Sequence, residues 1–527
     1  MPLPIIDTLR QTAHRHPDKI AIRDGEQRIP FATLWQQALL LGQALVINGE
    51  HQRGDEEATR AGEAPPIVVH IPKSIAAVVA MAGIQLSGRV YVPFDTDNPP
   101  ERRQRMLARL GAHGLLTWKE GIFYLDQEPL TTSTPPLPDP EDFPALEARL
   151  FERLQARSDS AILYVMFTSG TTGLPKGVAI TNRSTRNYID WVAATYQVTD
   201  QEIIGNQSPI FFDHFTFDMF LTFQTGCTLH LIPPLSFRFP GALIDYLLQH
   251  RISLIFFVPA VYTHLKLLDL LKGIDAPHLK KLLFAGEAMP LSTIHYLHTH
   301  LPHALLSNLY GPTEATVDVV SWIFGDELNH LKETPLGLPC AGARIVLMAE
   351  NGEIFSEPEK VGEICIGGPG LSPGYWNDPE TSRQRFIPSP EPDHPGAILY
   401  RTGDLGYWSA GDGLLYMVGR KDHQFKHLGH RIEPGEIEKA LLGFPGVSQA
   451  LVHYNREKRQ IEVFLASRQD PNPQALRHHL NNWLPPYMMP GRIVSLEKLP
   501  TTPNGKVDRA ALGGSYSSSI SKLNSLP

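Results

Sequence analysis

Hydroxyls, glycines and one lysine crowd the stretch Thr168-Ser169-Gly170-Thr171-Thr172-Gly173-Leu174-Pro175-Lys176-Gly177, directly after the apolar run Tyr164-Val165-Met166-Phe167. Glycines let backbone N–H groups approach an anion closely. Thr168, Ser169, Thr171 and Thr172 add donors and Lys176 adds positive charge, a combination suited to a polyphosphate. A P-loop is the nearest similar pattern, but it needs Gly-Lys-Ser/Thr, whereas Lys176 stands between Pro175 and Gly177. The stretch therefore reads as another kind of nucleotide cradle, with a polar turn between strands as the plain alternative. A second chemical candidate is Asp213, set among Phe211, Phe212, Phe215, Phe217 and Phe220. A carboxylate in such surroundings is costly unless it meets a cation. Its plain alternative is the N-cap of a helix starting near Phe215.

The elements that must position these groups alternate in type. Leu34 to Leu45 is apolar at helical spacing, Ile67-Val68-Val69-His70-Ile71 reads as a strand, and Ile75 to Leu86 as the helix after it. Ile252 to Val258 and Leu282 to Ala285 read as buried strands with a helix between them, which implies a parallel sheet. From Ile345 the strands shorten and Gly/Pro turns separate them. The charged Gly49 to Pro66 segment predicts a surface loop, and the Pro- and acid-rich Pro129 to Pro144 segment separates the opening layer from the cradle. The fold class is α/β: a large N-terminal domain over 1–421 with parallel sheets layered by helices, a small mobile α+β domain over 422–512, and a Ser/Gly-rich tail over 513–527 whose composition implies disorder.

At 527 residues with 42% hydrophobic content, more than one core is expected. The formal charge of −8, without a dense basic run, argues against nucleic acid or an anionic membrane as partner. The N-terminus lacks a basic start and a long apolar core, so the expected location is the cytoplasm. Cys227, Cys340 and Cys365 have no metal-ligand spacing and read as buried thiols.

Further motifs follow the cradle and precede it: Tyr91-Val92-Pro93-Phe94-Asp95, Asn308-Leu309-Tyr310-Gly311-Pro312-Thr313-Glu314, Gly362-Glu363-Ile364-Cys365-Ile366-Gly367-Gly368, Tyr400-Arg401-Thr402-Gly403-Asp404, Gly419-Arg420-Lys421-Asp422, Leu484-Pro485-Pro486-Tyr487-Met488-Met489-Pro490 and Asn504-Gly505-Lys506-Val507-Asp508-Arg509. Alone, each could be a turn or hairpin tip. In this order, and over nearly the whole chain, they resemble the adenylate-forming superfamily of acyl-CoA synthetases, luciferases and nonribosomal peptide synthetase adenylation domains. The resemblance implies ATP and Mg²⁺ as cofactors. Lys506 would bridge the substrate carboxylate and the α-phosphate, Glu314 would hold Mg²⁺ and Thr313 would touch phosphate. Tyr310 would stack on adenine, Asn308 would bond its edge, and Asp404 with Arg420 would hold the ribose. Asp422 resembles the hinge about which the small domain turns, with an ordinary solvated linker carboxylate as the plain alternative.

In the same family Asp213 would grip the amine of an amino acid. Aligning the remaining pocket positions by motif gives His214, Phe217, Phe257, Leu283, Ala285, Leu309, Val317 and Asp318 beside Asp213 and Lys506. This set is mostly apolar and is similar to freestanding proline-activating enzymes that load carrier proteins. Asp318 keeps ornithine-like substrates open, though such a residue could instead bond a neighbour, and His214 could partner either aspartate. A carrier domain would need about eighty more residues, so the acceptor is expected on a separate chain. Activation of ornithine or D-alanine, an acyl-CoA ligase, and an inactive ATP-binding scaffold are the competing readings.

Overall fold

A computed structural model describes residues 4–51, 65–111, 113–130, 142–155, 157–170, 174–340, 342–391, 393–456, 458–467, 471–496 and 498–500. Lys506, Thr171, Thr172, the tail over 513–527 and most of the two loops expected before the cradle lie outside them. The chain divides into two compact units. As far as they are described, one comprises Met1–Thr96, Leu110–Met166 and Gly177–Lys421, and the other Asp97–Arg109, Phe167–Lys176 and Asp422–Pro527.

Two large sheets dominate the first unit's architecture. One has nine strands and runs, edge to edge, Leu338–Pro339, Val320–Ile323, Leu305–Tyr310, Lys281–Phe284, Leu254–Phe257, Ile203–Asn206, Thr228–Leu231, Ile20–Asp24, Gln27–Pro30. Its interior is parallel, as the short apolar runs predict, while both edges close with antiparallel pairs. The other has eight strands and a parallel centre of Ile162–Thr168, Tyr91–Pro93, Ile67–Val69 and Gly114–Lys119. A six-stranded antiparallel sheet, including Gly362–Gly367, Ile398–Trp408 and Leu415–Arg420, accounts for the turn-rich region after Ile345.

Strand Leu254–Phe257 shows how the sheet divides its core. Leu254 and Phe256 belong to the cluster holding Phe217, Leu283, Leu309 and Val317, whereas Ile255 and Phe257 belong to the cluster of Tyr262, Phe284 and Met289 on the opposite face. That is the period of two dictated by the pleat. Helix Ile75–Leu86 is apolar nearly all round, so it is buried rather than amphipathic, and the Ser74 hydroxyl accepts from Ala77 N–H at 3.3 Å to cap it.

The second unit joins a three-stranded sheet, Val447–Asn455, Gln460–Ser467 and Arg492–Leu496, to helices Pro434–Leu442 and Pro473–Asn481. The Asp97–Arg109 segment belongs to it through a buried pair, Arg102 Nε to Glu436 Oε1 at 2.9 Å, and through Arg105 over the Trp483 ring. Reading along the sequence alone divides the chain once, after Lys421; contacts so distant in sequence were not legible there.

Candidate active site

The described ends of the cradle lie on strands Ile162–Thr168 and Lys176–Thr181 and the residues next to them. Gly170 is required by space: a Cβ there would lie 1.8 Å from the Leu174 carbonyl oxygen. Thr168 ends the first strand, Lys176 opens the second and is buried, and Ser169 Oγ donates to the Arg431 carbonyl at 2.7 Å. Asp422 opens the run that completes this unit and accepts from Gln424 N–H at 3.3 Å.

In the first unit, strand Leu305–Tyr310 and the 3₁₀ turn Thr313–Ala315 form the spine of a convergent polar group. Gly311 lets the chain fold back on itself between them, since a Cβ would meet the Val317 carbonyl oxygen at 2.2 Å. Thr316 and Val317 take the left-handed conformation at φ 59° and 69°, which completes the reversal. Along this spine Asn308 Nδ2 donates to the Pro335 carbonyl at 2.7 Å, and Tyr310 donates to Asp404 Oδ2 at 2.6 Å. Burial, then the neighbouring Asp404, pushes the Tyr310 phenol well above its ordinary range, so it remains a donor. Antiparallel register sets Asp404 directly opposite Arg420, which pairs with its other oxygen and donates to the Thr402 carbonyl at 3.1 Å. Glu314 is buried and accepts from the Tyr375 hydroxyl at 2.8 Å.

Asp213 occupies the N-cap position of helix His214–Thr225, yet its carboxylate makes no capping bond. Oδ2 instead accepts from the Thr313 hydroxyl at 2.5 Å. The cap alternative thus gives way to a carboxylate tied to the 308–314 spine. His214 stacks on Phe256 with ring centroids 4.4 Å apart, and Phe217 meets the same ring edge-on at 5.0 Å.

Phe257, assigned to the pocket by motif, is corrected here to Phe256. Phe257 lies on the sheet's opposite face against Phe237 and Tyr262, because consecutive strand residues point to opposite sides. Phe256 pairs in register with Leu283, and Phe217, Leu283, Ala285, Leu309 and Val317 share its cluster. Alternation within Leu254–Phe257 is visible in sequence, but which parity faces the helix is set by the sheet. Asp318 is buried, and its Oδ2 accepts from the Tyr188 hydroxyl at 2.8 Å. Tyr188 and Tyr375 were missed because nothing in their local sequence marks them. All three cysteines are buried and free, with burial pushing Cys227 up to about 11 and Cys365 to about 12.

Known sequences and folds match this arrangement. Residues 9–376 match the family described as AMP-binding enzyme, and 436–506 match the AMP-binding enzyme C-terminal domain. Tyrocidine synthase 1 of Brevibacillus parabrevis is 30% identical over 505 residues, covering 95% of this chain and 44% of that protein. Bacitracin synthase 1 of Bacillus licheniformis is 32% identical over 520 residues, covering 97% and 9% respectively. The chain thus spans less than half the length of these relatives. Among solved structures, a nonribosomal peptide synthetase protein containing adenylation and carrier domains superposes with a TM-score of 0.78 at 25% identity, over 97% of this chain and 84% of that one. The Vibrio cholerae adenylation domain AlmE, solved with glycyl-adenosine-5'-phosphate, shares the fold at a TM-score of 0.78 and 21% identity, over 97% of each chain. The matched span, the motif-bearing spine and the two-unit fold have one origin: the chain belongs to the AMP-binding enzyme family of adenylate-forming enzymes.

Proposed function

We propose that this chain activates an amino acid with ATP, forming aminoacyl-AMP and pyrophosphate, and then transfers the acyl group to the phosphopantetheine thiol of a separate carrier protein. The observation that carries this reading is Asp213: a carboxylate among phenylalanines, not used as a helix cap, and held by Thr313. Its charge has a use if the substrate brings an ammonium, which an acyl-CoA ligase for simple acids does not require. The peptide synthase relatives support the same class.

The first step forms a bond between a carboxylate oxygen and the α-phosphorus and breaks the bond to the β-phosphate, releasing pyrophosphate. Two anions must meet, so catalysis rests on alignment and charge neutralisation. Lys506 is assigned the bridging charge, with Thr168, Ser169, Gly170, Thr171, Thr172 and Lys176 assigned to the phosphates. Tyr310 and Asn308 are assigned to adenine, and Asp404 with Arg420 to ribose. Glu314 fits a Mg²⁺ site in donor type, since Mg²⁺ is usually held by one or two carboxylates plus substrate phosphates, and the ion would supply further charge neutralisation. In the second step the thiol sulfur attacks the acyl carbon and AMP leaves. The presence in the sequence of Lys176, Glu314 and Lys506, each suited to charge neutralisation, disfavours an inactive scaffold.

Asp422 is assigned the hinge between the two half-reactions. Asp422→Pro fixes φ there and should slow one half-reaction at least tenfold more than the other. Equal effects on pyrophosphate exchange and carrier loading would remove the assignment.

L-proline is the favoured substrate. Its secondary ammonium suits Asp213, and its ring carries no polar group to strand against Phe217, Phe256, Leu283, Leu309 and Val317. Pyrophosphate exchange across the amino acids tests this. Proline should lead, with alanine weaker by about 1–3 kcal/mol from unfilled space. Asp318 accepts from Tyr188 through Oδ2, a bond that gives this carboxylate a use without a cationic side chain, so its presence does not by itself favour ornithine. Faster exchange with ornithine, lysine or D-alanine than with L-proline overturns the substrate assignment and leaves the reaction class intact.

A further inference from the structure

The helix that presents Asp213 also carries Asp218, which is 2% exposed. Five residues advance a helix by roughly 140° past a whole turn, so Asp218 lies nearly opposite Asp213 while Phe217 shares its side. Asp218 Oδ2 accepts from Asn206 Nδ2 at 2.6 Å, and Asn206 Oδ1 accepts from Lys73 Nζ at 2.8 Å. The same ammonium donates to the carbonyls of Gln207 and Ile232, both at 3.3 Å, and Gln207 Oε1 accepts from Val258 N–H at 2.9 Å. Lys73 follows strand Ile67–Val69 of the eight-stranded sheet. Lys73 therefore ties that sheet to the carboxyl ends of two parallel strands in the other, Ile203–Asn206 and Thr228–Leu231, and through Asn206 to the back of the helix, while the Gln207 side chain reaches the end of a third, Leu254–Phe257. The carboxyl ends of parallel strands are where open α/β sheets place ligands.

Burial pushes the Asp218 carboxyl up to about 7, opposed by Asn206 and by the charge of Lys73. It pulls the Lys73 ammonium down to about 8, opposed by Asp218 and Asp24. Asp218 Oδ1 has no partner among the described residues. Apolar side chains of similar volume would stabilise such a site at least as well, so the use of the pair is sought in geometry rather than stability.

We propose that Lys73 and Asp218, linked by Asn206, are positioning residues for amine recognition: they fix the rotation of helix His214–Thr225 that aims Asp213 at the substrate ammonium. The inference rests on the reading of Asp213 as the amine-binding carboxylate. Neither residue touches substrate. Their effect is on the amino acid's KM and on discrimination between an amino acid and its deaminated analogue, not on ATP.

Pyrophosphate exchange is measured for wild type, Lys73→Met, Asp218→Ala and Asp218→Asn, using the amino acid that wild type activates fastest and its deaminated analogue, with thermal midpoints recorded. Lys73→Met and Asp218→Ala break the link to Asn206 from either side, so one serves if the other does not fold, whereas Asp218→Asn keeps an oxygen for Asn206 and should stay near wild type. In folded Lys73→Met and Asp218→Ala the amino acid KM should rise about tenfold, the ATP KM should stay within twofold, and preference for the aminated acid should fall about tenfold. Unchanged preference in a folded link-breaking variant, or equal rises in both KM values, overturns the proposal while leaving the Asp213 reading intact. A wild type without preference for the aminated acid overturns both.

Discussion

Asp213→Ala should cost amino acid activation about 3–5 kcal/mol, because the substrate ammonium would be buried with no anion beside it. Acids lacking the amine should lose little. The contact with Thr313 sharpens the test, since alanine also strips that hydroxyl of its acceptor at 2.5 Å. Asp213→Asn keeps an oxygen for Thr313 and removes the charge. If charge is what matters, the asparagine variant should behave like the alanine variant toward amino acids. Should asparagine instead retain wild-type KM, Asp213 acts by holding Thr313 and not by gripping an amine. Pyrophosphate exchange with aminated and deaminated acids separates the outcomes.

Lys506→Ala should lower the adenylation rate by about 10²–10³-fold, as expected when one preorganised charge facing a transition state is removed. Transfer from supplied aminoacyl-AMP to the carrier should remain near the wild-type rate, because that step no longer joins two anions. The substitution deletes a charge from a turn-like Asn-Gly-Lys sequence, so little change in thermal stability is expected. Wild-type adenylation by a folded Lys506→Ala protein would exclude the assigned role.

These expectations draw unequally on sequence and fold. The cradle, the 308–314 spine and the Asp404 and Arg420 motifs are legible along the chain because glycine, proline and charged residues recur at fixed local offsets. The pairing of Asp404 with Arg420, sixteen positions apart, is not local; it is set by antiparallel register. So is the commitment of Asp318 to Tyr188, which lies in a helix 130 positions upstream. An aspartate near a pocket motif has the same sequence signature whether it faces a ligand or a tyrosine.

The parallel sheets were announced by short apolar runs bounded by helices. Their antiparallel edges were not, because edge strands such as Leu338–Pro339 and Glu128–Pro129 are too brief to carry a period. The choice of Phe257 over Phe256 has the same cause in finer form: a two-residue period gives alternation without an origin, and a shift of one residue exchanges the two faces.

What the sequence by itself determined is the inventory of chemistry: a glycine- and hydroxyl-rich cradle with its lysine, a carboxylate among aromatics, and motifs in a fixed order, all carried by residue type at short spacing. The tertiary structure alone decided which carboxylates are committed to protein partners, which phenylalanine stacks on His214, and how Lys73 reaches the helix of Asp213. Those outcomes depend on strand register and on groups brought together from distant parts of the chain, and neither leaves a local trace in the order of residues.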